Sequence, residues 1–421
     1  MEIHVVRPGE TLYAIAGRYG VEPGLLAEQN GVAEDGALAV GQTLVIERVE
    51  TFHVVQPGQT LDAIARAYGV SLRALYRSNY RLGGQPLIRP GERLVIAYEG
   101  EKLGSAYTNG YAYPFISREL LSAQLPYMSD VTPFTYGITA QGSLLDLRDG
   151  MILEEAARLG TGALMHLSTL TEEDTFSSQR AEMVLTDLSL QESLIDEVEQ
   201  TMAQKGYQGL DVDFEYIPGA YREAYAAFIR RLQERLNPAP VIVALAPKTY
   251  ADQPGLLYEG HDYALLGAAA DAVLLMTYEW GYTYGPPMAV APLPNVEAVL
   301  RYALSVIPSE KIYLGIPNYG YDWPLPYRRG ETKAQSISNQ RAVELAVENR
   351  AEIEFDEAAQ SPYFRYTRDG AVHEVWFEDA RSMSAKLRLI ARHGLRGAGY
   401  WNLMRPYPQG WTVLNALYDV L

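Results

Sequence analysis

Residues 207–216 alternate acidic and apolar side chains. The acidic members are Asp211, Asp213 and Glu215, and apolar residues stand between them. In a β-strand successive side chains point to opposite faces, so the three carboxylates would share one face. Like charges at this spacing raise the pKa of at least one carboxyl, which a catalytic acid requires and a scaffold does not. The segment therefore predicts a strand that carries a catalytic centre.

The composition excludes several kinds of chemistry. The 421 residues include no Cys, which excludes disulfides, thiol nucleophiles and Cys-based zinc sites. The 6 His residues show no HExxH or other paired metal spacing, so no metal and no cofactor are expected. A formal net charge of -17 argues against a nucleic-acid partner, because phosphate binding requires a basic face.

No segment for export or membrane insertion is recognisable. Residues 1–8 enter a strand-like pattern without a positive stretch followed by an apolar one, so no signal peptide is expected. No run of 18 apolar residues occurs, so no membrane span is expected either.

The same unit occurs twice in the first 98 residues. Residues 4–12 return as residues 53–61, and the closing strand at 41–46 returns at 91–96. Each unit predicts a strand, a Pro-Gly turn, two helices and a strand, with Thr11 and Thr60 as helix N-caps. These boundaries define a first module at residues 1–48 and a second module at residues 50–98.

Residues 100–421 alternate short apolar strands with helical stretches, the pattern of parallel βα units. The candidate strands are residues 104–107, 132–138, 163–168, 209–214, 241–246, 272–277, 312–317 and 397–401. Eight such units fit an α/β fold, a (β/α)₈ TIM barrel, whose active site lies at the carboxyl ends of the strands. Glu215 follows the fourth candidate strand, where this rule places a catalytic residue.

One connection is too long for an ordinary loop. It covers residues 321–382, and within it residues 364–366 and 372–377 predict a hairpin with a turn at 368–370. We interpret this stretch as a small α+β insertion that forms one wall of the cleft.

The repeated unit resembles the LysM module. The resemblance rests on the Pro-Gly-x-Thr-Leu turn, the Tyr-Gly-Val helix end and the closing Gly-x-x-Leu-x-Ile strand. It implies binding of N-acetylglucosamine chains in a groove between the first turn and the loop before the last strand, although the turn residues also suit a purely structural role. The implied groove residues are Gly9, Glu10, Thr11 and Leu38 in the first module and Gly58, Gln59, Thr60, Leu87 and Ile88 in the second.

Residues 104–421 resemble the family 18 glycoside hydrolases. The match is carried by Asp211-Val212-Asp213-Phe214-Glu215, by Met276-Thr277-Tyr278-Glu279 and by Trp401. In this family the N-acetyl oxygen of the substrate, and not a second carboxylate, attacks the anomeric carbon. The resemblance therefore implies one general acid, which then acts as the base.

The resemblance assigns a role to each matching residue. Glu215 would be the acid, with a pKa that the charge of Asp213 raises. Asp213 would rotate to hold the acetamido N–H, and Asp211 would share a proton with Asp213, although a structural buried acid is the alternative for Asp211. Tyr278 would donate to the acetamido oxygen, and Trp401 would stack beneath the sugar ring.

Other residues are candidates for sugar contacts. Tyr107, Tyr136 and Asn318 lie at the ends of candidate strands, whereas Glu279 follows Tyr278 in the sixth-strand motif. For Met276 a place in the core is the alternative. For Trp280, Trp323 and Trp376 the alternative is packing of the insertion.

Three departures from the family pattern stand out. An acid expected at position 208 is Gln208, and the Asp that usually ends the sixth-strand motif is Glu279, which is one methylene longer. A Ser-x-Gly-Gly motif expected on the third strand is replaced by residues 165–169, Met-His-Leu-Ser-Thr. None of these departures affects the acid itself.

The paired modules, Glu279 and the insertion together resemble the spore-cortex N-acetylglucosaminidases, which also lack a signal peptide. The resemblance implies hydrolysis of β-1,4 bonds in peptidoglycan at the spore coat, cortex or cell wall, by a monomer. A chitinase of the same mechanism is one alternative. A wall-binding lectin is the other, but family 18 lectins usually lose the terminal Glu that this chain retains.

Overall fold

The computed structural model of the chain describes residues 1–173 and 175–421. Its strands are β1 (Glu2–Val5), β2 (Thr43–Ile46), β3 (Val49–Val54), β4 (Arg93–Tyr98), β5 (Gly104–Ala112), β6 (Asp130–Pro133), β7 (Gly162–Ser168), β8 (Gly209–Asp213), β9 (Val241–Leu245), β10 (Ala272–Leu275), β11 (Ile312–Pro317), β12 (Gly320–Leu325), β13 (Gln335–Ile337), β14 (Glu354–Asp356), β15 (Ser361–Arg368), β16 (Ala371–Trp376), β17 (Gly397–Trp401) and β18 (Tyr418–Val420). Its α-helices are α1 (Leu12–Tyr19), α2 (Pro23–Asn30), α3 (Leu61–Tyr68), α4 (Leu72–Ser78), α5 (Arg118–Gln124), α6 (Gly150–Leu159), α7 (Ser178–Thr186), α8 (Leu188–Lys205), α9 (Arg222–Leu236), α10 (Leu256–Glu259), α11 (Tyr263–Ala269), α12 (Leu293–Leu304), α13 (Asn339–Asn349), α14 (Ala380–His393) and α15 (Pro408–Leu417). Across these described ranges, no helix combines the length and apolar character needed to cross a bilayer.

Each amino-terminal module has the predicted βααβ order. In the first module β1 pairs with β2, and in the second β3 pairs with β4, both antiparallel. The hydroxyls of Thr11 and Thr60 cap α1 and α3, each accepting a backbone hydrogen bond of 3.2 Å from three residues onward. Gly20 and Gly69 end these helices with φ of 69° and 68°, a conformation that glycine adopts without strain.

Parallel strands close into a barrel in the order β5-β6-β7-β8-β9-β10-β11-β17, and β17 pairs back to β5. This arrangement confirms the predicted (β/α)₈ TIM barrel. The first strand is longer than predicted, because β5 continues past Tyr107 to Ala112. Its carboxyl end therefore lies five residues further along the chain than the sequence pattern indicates.

A separate cluster of buried side chains fills the barrel interior. It consists of Tyr111, Phe134, Leu164, Ile242, Ala272, Leu274 and Tyr313, with Met276 and Trp401 packed against it. Because these side chains come from successive strands, they close the barrel to solvent and form a floor below the carboxyl ends of the strands.

The insertion is an antiparallel sheet in the order β13-β12-β16-β15-β14, with α13 packed on it. The predicted hairpin is formed by β15 and β16, which pair from Tyr363 with Trp376 to Arg368 with Ala371. Trp323 is fully buried within this region, where its indole N–H donates to the backbone O of Gly285 at 2.8 Å. Trp323 is therefore buried between the insertion and the loop that carries Gly285, and it does not line the cleft.

The first module is attached to the insertion and to α15. Gln409 Nε2 donates to the backbone O of Thr43 at 2.8 Å, and the backbone N–H of Ile353 donates to the O of Val40 at 2.8 Å. Gly41 approaches Ile353 so closely that a Cβ added to the glycine would lie 1.8 Å from the Ile353 backbone oxygen. This glycine permits the close docking.

The second module is attached to the amino-terminal end of the barrel. Arg77 on α4 donates from Nη1 to the backbone O of Pro126 at 3.0 Å, and the Tyr127 hydroxyl donates to the backbone O of Arg77 at 2.9 Å. Burial lowers the pKa of Arg77 to about 10. The two modules therefore contact different parts of the catalytic body.

We expect Gly41→Ala to destabilise the chain by about 1–3 kcal/mol more than Gly91→Ala, because only Gly41 would collide with Ile353. The two glycines have φ of 84° and 86°, so the backbone cost of alanine is matched. Around Gly91 nothing lies within 4 Å of an added Cβ. Thermal unfolding of both variants measures the difference, and equal losses would contradict the docked arrangement.

Candidate active site

The acidic face of β8 points into the cleft end of the barrel. Asp211 is fully buried, and its Oδ2 accepts a hydrogen bond from the Tyr111 hydroxyl at 2.5 Å. Burial raises the pKa of Asp211 to about 7, against the opposing effect of that hydrogen bond. Burial also raises the pKa of Asp213 well above its usual range, and the charges of Glu215 and Asp211 add to this effect.

Asp211 and Asp213 each have one buried oxygen without a hydrogen-bond partner, and in both residues it is Oδ1. An unpaired buried carboxylate oxygen is costly, whereas a protonated carboxyl group can donate to its neighbour. Since both pKa values are raised, a proton is retained in this pair near neutral pH. The two raised pKa values are those that a shared proton requires.

Glu215 follows β8 and is partly exposed at the cleft. Burial of the carboxyl group raises its pKa to about 7. Asp213 and Glu215 also repel each other when both are ionised, and this repulsion belongs to the pair, so the predicted effect of the Asp213 charge acts together with burial. A pKa near 7 allows a carboxyl group to donate and then accept a proton near neutral pH.

These acids open into a cleft with a cavity volume of about 950 Å³. The predicted site residues that line it are Asp213, Glu215, Met276, Tyr278, Glu279, Trp280 and Trp401. Other lining residues are mainly aromatic or apolar and include Tyr111, Tyr113, Phe115, Phe134, Phe176, Tyr216, Tyr258 and Tyr282. Ring faces of this kind suit the flat apolar faces of sugar rings.

Trp401 ends β17 and contributes to the floor of the cleft. Its ring centroid lies 5.0 Å from that of Phe134, 5.5 Å from that of Tyr111 and 6.1 Å from that of Tyr113. These three neighbours limit the orientations of the indole ring. Tyr278 lies near the acids, and its burial, together with the charges of Asp213 and Glu215, raises the pKa of its hydroxyl well above the usual value. The hydroxyl therefore remains a hydrogen-bond donor.

Glu279 connects the barrel to the insertion. Its carboxylate accepts hydrogen bonds from the hydroxyls of Tyr319 and Tyr321, the latter at 3.1 Å. Part of the residue is exposed to the cleft. Partial removal of its carboxylate from water raises the pKa of Glu279, and the hydrogen bonds from the two hydroxyls offset part of that rise. Its φ of 65° is left-handed, which is uncommon for a residue other than glycine. The two tyrosines fix the carboxylate of the longer side chain in the wall of the cleft.

The structure contradicts three of the predicted sugar contacts. Tyr107 lies at the opposite end of the barrel, where the Arg396 guanidinium is 4.5 Å from its ring centroid and β17 begins beside it. The error follows from the length of β5. Tyr136 is buried away from the cleft, where its hydroxyl donates to Asp149 and accepts from Lys205 Nζ at 2.7 Å.

Asn318 is the third correction. It is buried, and its Nδ2 donates at 3.0 Å to the backbone oxygens of both Asn402 and Arg405. The amide therefore holds the loop that follows Trp401 and does not face the cleft. Its effect on the site is to support the position of the tryptophan.

Sequence reasoning missed the side chains that surround the buried acids. Tyr111, Phe134 and Thr135 line the cleft, and His166 lies on β7 in register with Asp211. The alternation of residues 104–112 could have revealed Tyr111, because it continues past the predicted strand end. Nothing local in the sequence indicates that Thr135 and His166 would meet.

The implied glycan grooves of the two modules differ in their exposure. In both modules the residue before the capping threonine closes the Pro-Gly turn: Glu10 accepts from the Arg7 backbone N–H at 2.9 Å, and Gln59 accepts from that of Gln56 at 2.8 Å. The side-chain oxygens of Glu10 and Gln59 are therefore engaged in hydrogen bonds within their own turns. Leu87 is 72% exposed.

In the first module the equivalent residue, Leu38, is only half-buried against the module core, and the adjoining Ala39 is buried against the insertion. Gly9 and Gly58 have φ of 81° and 85°, as their turns require. Ile88 is half-buried against the main core. The groove of the second module is thus the more open of the two.

Among residues 1–173 and 175–421, no group of three or more His, Asp or Glu side chains has the arrangement of a metal site. The described cleft residues supply carboxylates on one strand and hydroxyls around them, an arrangement suited to proton transfer.

Comparisons with known proteins agree with this geometry. The model of the glycosyl hydrolases family 18 matches residues 173–405, and the LysM domain model matches residues 4–47 and 53–97. The chain is 38% identical to a cortical fragment-lytic enzyme of Bacillus subtilis, in an alignment that covers 100% of this chain and 99% of that protein.

Solved structures show the same likeness. The crystal structure of the spore cortex-lytic enzyme SleL of Bacillus cereus superposes with a TM-score of 0.85 at 33% identity, covering 100% of this chain and 98% of that one. A chitinase from Chromobacterium violaceum superposes with a TM-score of 0.68 at 27% identity, covering 74% of this chain and 98% of that one. The likeness to the chitinase therefore leaves a quarter of the chain unmatched.

We expect Asp211→Asn to stabilise the protein by about 4 kcal/mol at pH 8 and to have little effect at pH 4. The folded carboxyl has a pKa of about 7, whereas the unfolded one ionises near pH 3.9. Stability is therefore lost as pH rises from 4 to 7, because unfolding releases a proton, and the amide removes this loss. Thermal unfolding at both pH values tests the expectation. The exposed Asp252→Asn is the matched control, and an equal effect of both substitutions would contradict it.

Proposed function

The chain belongs to the glycosyl hydrolases of family 18, and on that premise we propose that it is an N-acetylglucosaminidase that hydrolyses β-1,4 bonds in spore-cortex peptidoglycan. The catalytic part rests on three carboxyl groups with raised pKa values, Asp211 and Asp213 on β8 and Glu215 just after it, at the carboxyl end of the barrel and beside an aromatic cleft. The names and full-length coverage of the relatives support the substrate.

Glu215 supplies the proton to the leaving oxygen. Its pKa of about 7 keeps a substantial fraction of the carboxyl protonated near neutral pH, while its place at the cleft gives it access to the substrate. After the leaving group departs, the same carboxylate takes a proton from a water molecule whose oxygen attacks the anomeric carbon and displaces the acetamido oxygen. Its pKa near 7 makes both transfers feasible without a second acid.

Asp213 orients the acetamido group of the substrate, and Asp211 retains the proton that the two carboxyl groups share. Asp213 lines the cleft and turns toward the acetamido N–H, so that the acetamido oxygen is aligned to attack the anomeric carbon. When it turns, the proton of the pair stays with Asp211, whose Oδ2 is held by Tyr111. Asp213 is then a carboxylate that stabilises the positively charged intermediate.

The remaining side chains orient the sugar. Tyr278 donates its hydroxyl to the acetamido oxygen, and Trp401 supports the ring from below. Met276, Glu279 and Trp280 line the cleft and provide the adjoining contacts. Tyr319 and Tyr321 hold the carboxylate of Glu279 in its position beside the substrate.

The LysM domains bind the glycan that the barrel cleaves, so the protein acts at the cell wall or cortex. We assign most of this affinity to the second module, because its loop at Leu87 is open to solvent while the corresponding loop of the first module is docked on the insertion. Action as a monomer at the spore coat or cortex remains a prediction.

We expect Glu215→Gln to lower kcat/KM on purified cortex fragments by about 10²–10⁴-fold, because the amide cannot donate the proton. Retention on cortex should be unchanged, since the LysM domains are untouched. Release of reducing ends measures turnover, and pelleting with insoluble cortex measures binding. Unchanged turnover would contradict the catalytic role.

Two comparisons with the native protein check the substrate. Equal or faster hydrolysis of chitin would contradict the assignment to cortex. Equal hydrolysis of a glycan without the 2-acetamido group would contradict the substrate-assisted mechanism.

We expect Leu87→Asp to weaken retention on insoluble peptidoglycan about tenfold, because a buried leucine contact contributes about 1.5–3 kcal/mol. Leu188→Asp is the matched control, since Leu188 is 59% exposed on α8 of the barrel. Pelleting assays with Glu215→Gln as the background prevent digestion of the ligand. Equal retention of the two variants would contradict the role of the second module.

A further inference from the structure

The third strand of the barrel departs from the family pattern next to the buried acids. The chain has Met165-His166-Leu167-Ser168 there, and His166 is paired in register with Asp211 on β8. The imidazole is almost completely buried. A buried imidazole needs partners for its nitrogens, and the proposed mechanism does not use it.

One nitrogen has an anchor. His166 Nδ1 lies 2.5 Å from the hydroxyl oxygen of Thr135, in the loop that follows β6. Thr135 is itself held by contacts with the Ser168 hydroxyl at 3.0 Å and with the His166 backbone oxygen at 3.3 Å. The Tyr111 ring lies edge-on to the imidazole at 5.6 Å, and Phe134 lies at 4.9 Å. The orientation of the ring is therefore fixed on several sides.

The other nitrogen is directed at the catalytic pair. His166 Nε2 lies 3.8 Å from Asp213 Oδ2. This separation is beyond a normal hydrogen bond, so a small rotation of Asp213 makes or breaks the contact. The other carboxylate oxygen of Asp213, Oδ1, is buried and has no hydrogen-bond partner.

We propose that His166 is a positioning residue that holds Asp213 in its inward orientation between substrate turnovers. This inference rests on the proposed function, in which Asp213 turns between Asp211 and the acetamide. Thr135 fixes the imidazole through Nδ1, and Nε2 gives Asp213 a partner on the side away from the substrate. In the inward orientation Asp213 lies within reach of His166 Nε2, and in the outward orientation it binds the acetamide.

The neutrality of the ring matters for this role. Burial lowers the pKa of His166 to about 3, so the imidazole carries no charge at neutral pH. A cation at this position would form an ion pair with Asp213 and oppose its rotation toward the substrate. A neutral partner at 3.8 Å orients the carboxylate and still allows it to leave.

His166→Asn and His166→Gln separate the two nitrogens. The Asn amide reaches the position of Nδ1 and keeps the Thr135 contact, whereas the Gln amide reaches toward Asp213. We expect kcat on a chromogenic N-acetylglucosamine oligosaccharide to fall about 10–100-fold in the Asn variant and to stay within about threefold of the native value in the Gln variant. KM should change little in both, because the ring does not touch the sugar.

Equal kcat values of the Asn and Gln variants, at equal thermal stability, would overturn the proposal. If the Asn variant does not fold, Thr135→Val provides the second measurement: loss of the anchor should lower kcat, and an unchanged kcat would overturn the role. Glu215→Gln is assayed in parallel. Turnover by that variant would refute the proposed function itself, whereas its inactivity together with native rates in the His166 variants would refute only the positioning role.

Discussion

Removal of three neighbouring carboxylates from water is the constraint on which the site depends. Charged groups resist burial, and Asp211, Asp213 and Glu215 respond with raised pKa values. The closed barrel makes this possible because its strands and interior cluster supply enough packing to hold a costly arrangement in place. The same removal from water gives Glu215 a pKa suited to proton transfer. The burial of this carboxyl group therefore disfavours folding but favours catalysis.

The cleft residue Glu279 is held from outside the barrel strands. Its carboxylate accepts hydrogen bonds from Tyr319, in the loop after β11, and from Tyr321, on β12 of the insertion. Among the described residues, those of the insertion do not line the cleft, so the prediction that the insertion forms one of its walls is wrong. The insertion acts on the cleft through its hold on Glu279.

Much of the fold could be predicted from the sequence, because apolar periodicity and the repeat are local signals. The last residue of each strand was harder to predict. Because β5 extends to Ala112, the residue of this strand that lines the cleft is Tyr111 and not the predicted Tyr107. Tyr136 and Asn318 were predicted as contacts because they follow strands, but the direction of a side chain beyond a strand depends on the loop that carries it. The meeting of Thr135 with His166 depends on two strands packed side by side, which no single segment encodes. The acidic residues on β8 were accessible because strand alternation alone puts them on one face.

The docking of both LysM modules onto the catalytic body fixes the geometry of attack. Gln409 and Ile353 hold the first module, and Arg77 holds the second. Each module is therefore docked on the catalytic body and not joined to it by a flexible linker alone. An enzyme on a long linker can sample many bonds around its anchor point. In the proposed function, the body of the protein therefore sets the span between the sugar that a module binds and the bond that the barrel cleaves. Cleavage outside that span then requires the docked modules to dissociate and bind again elsewhere.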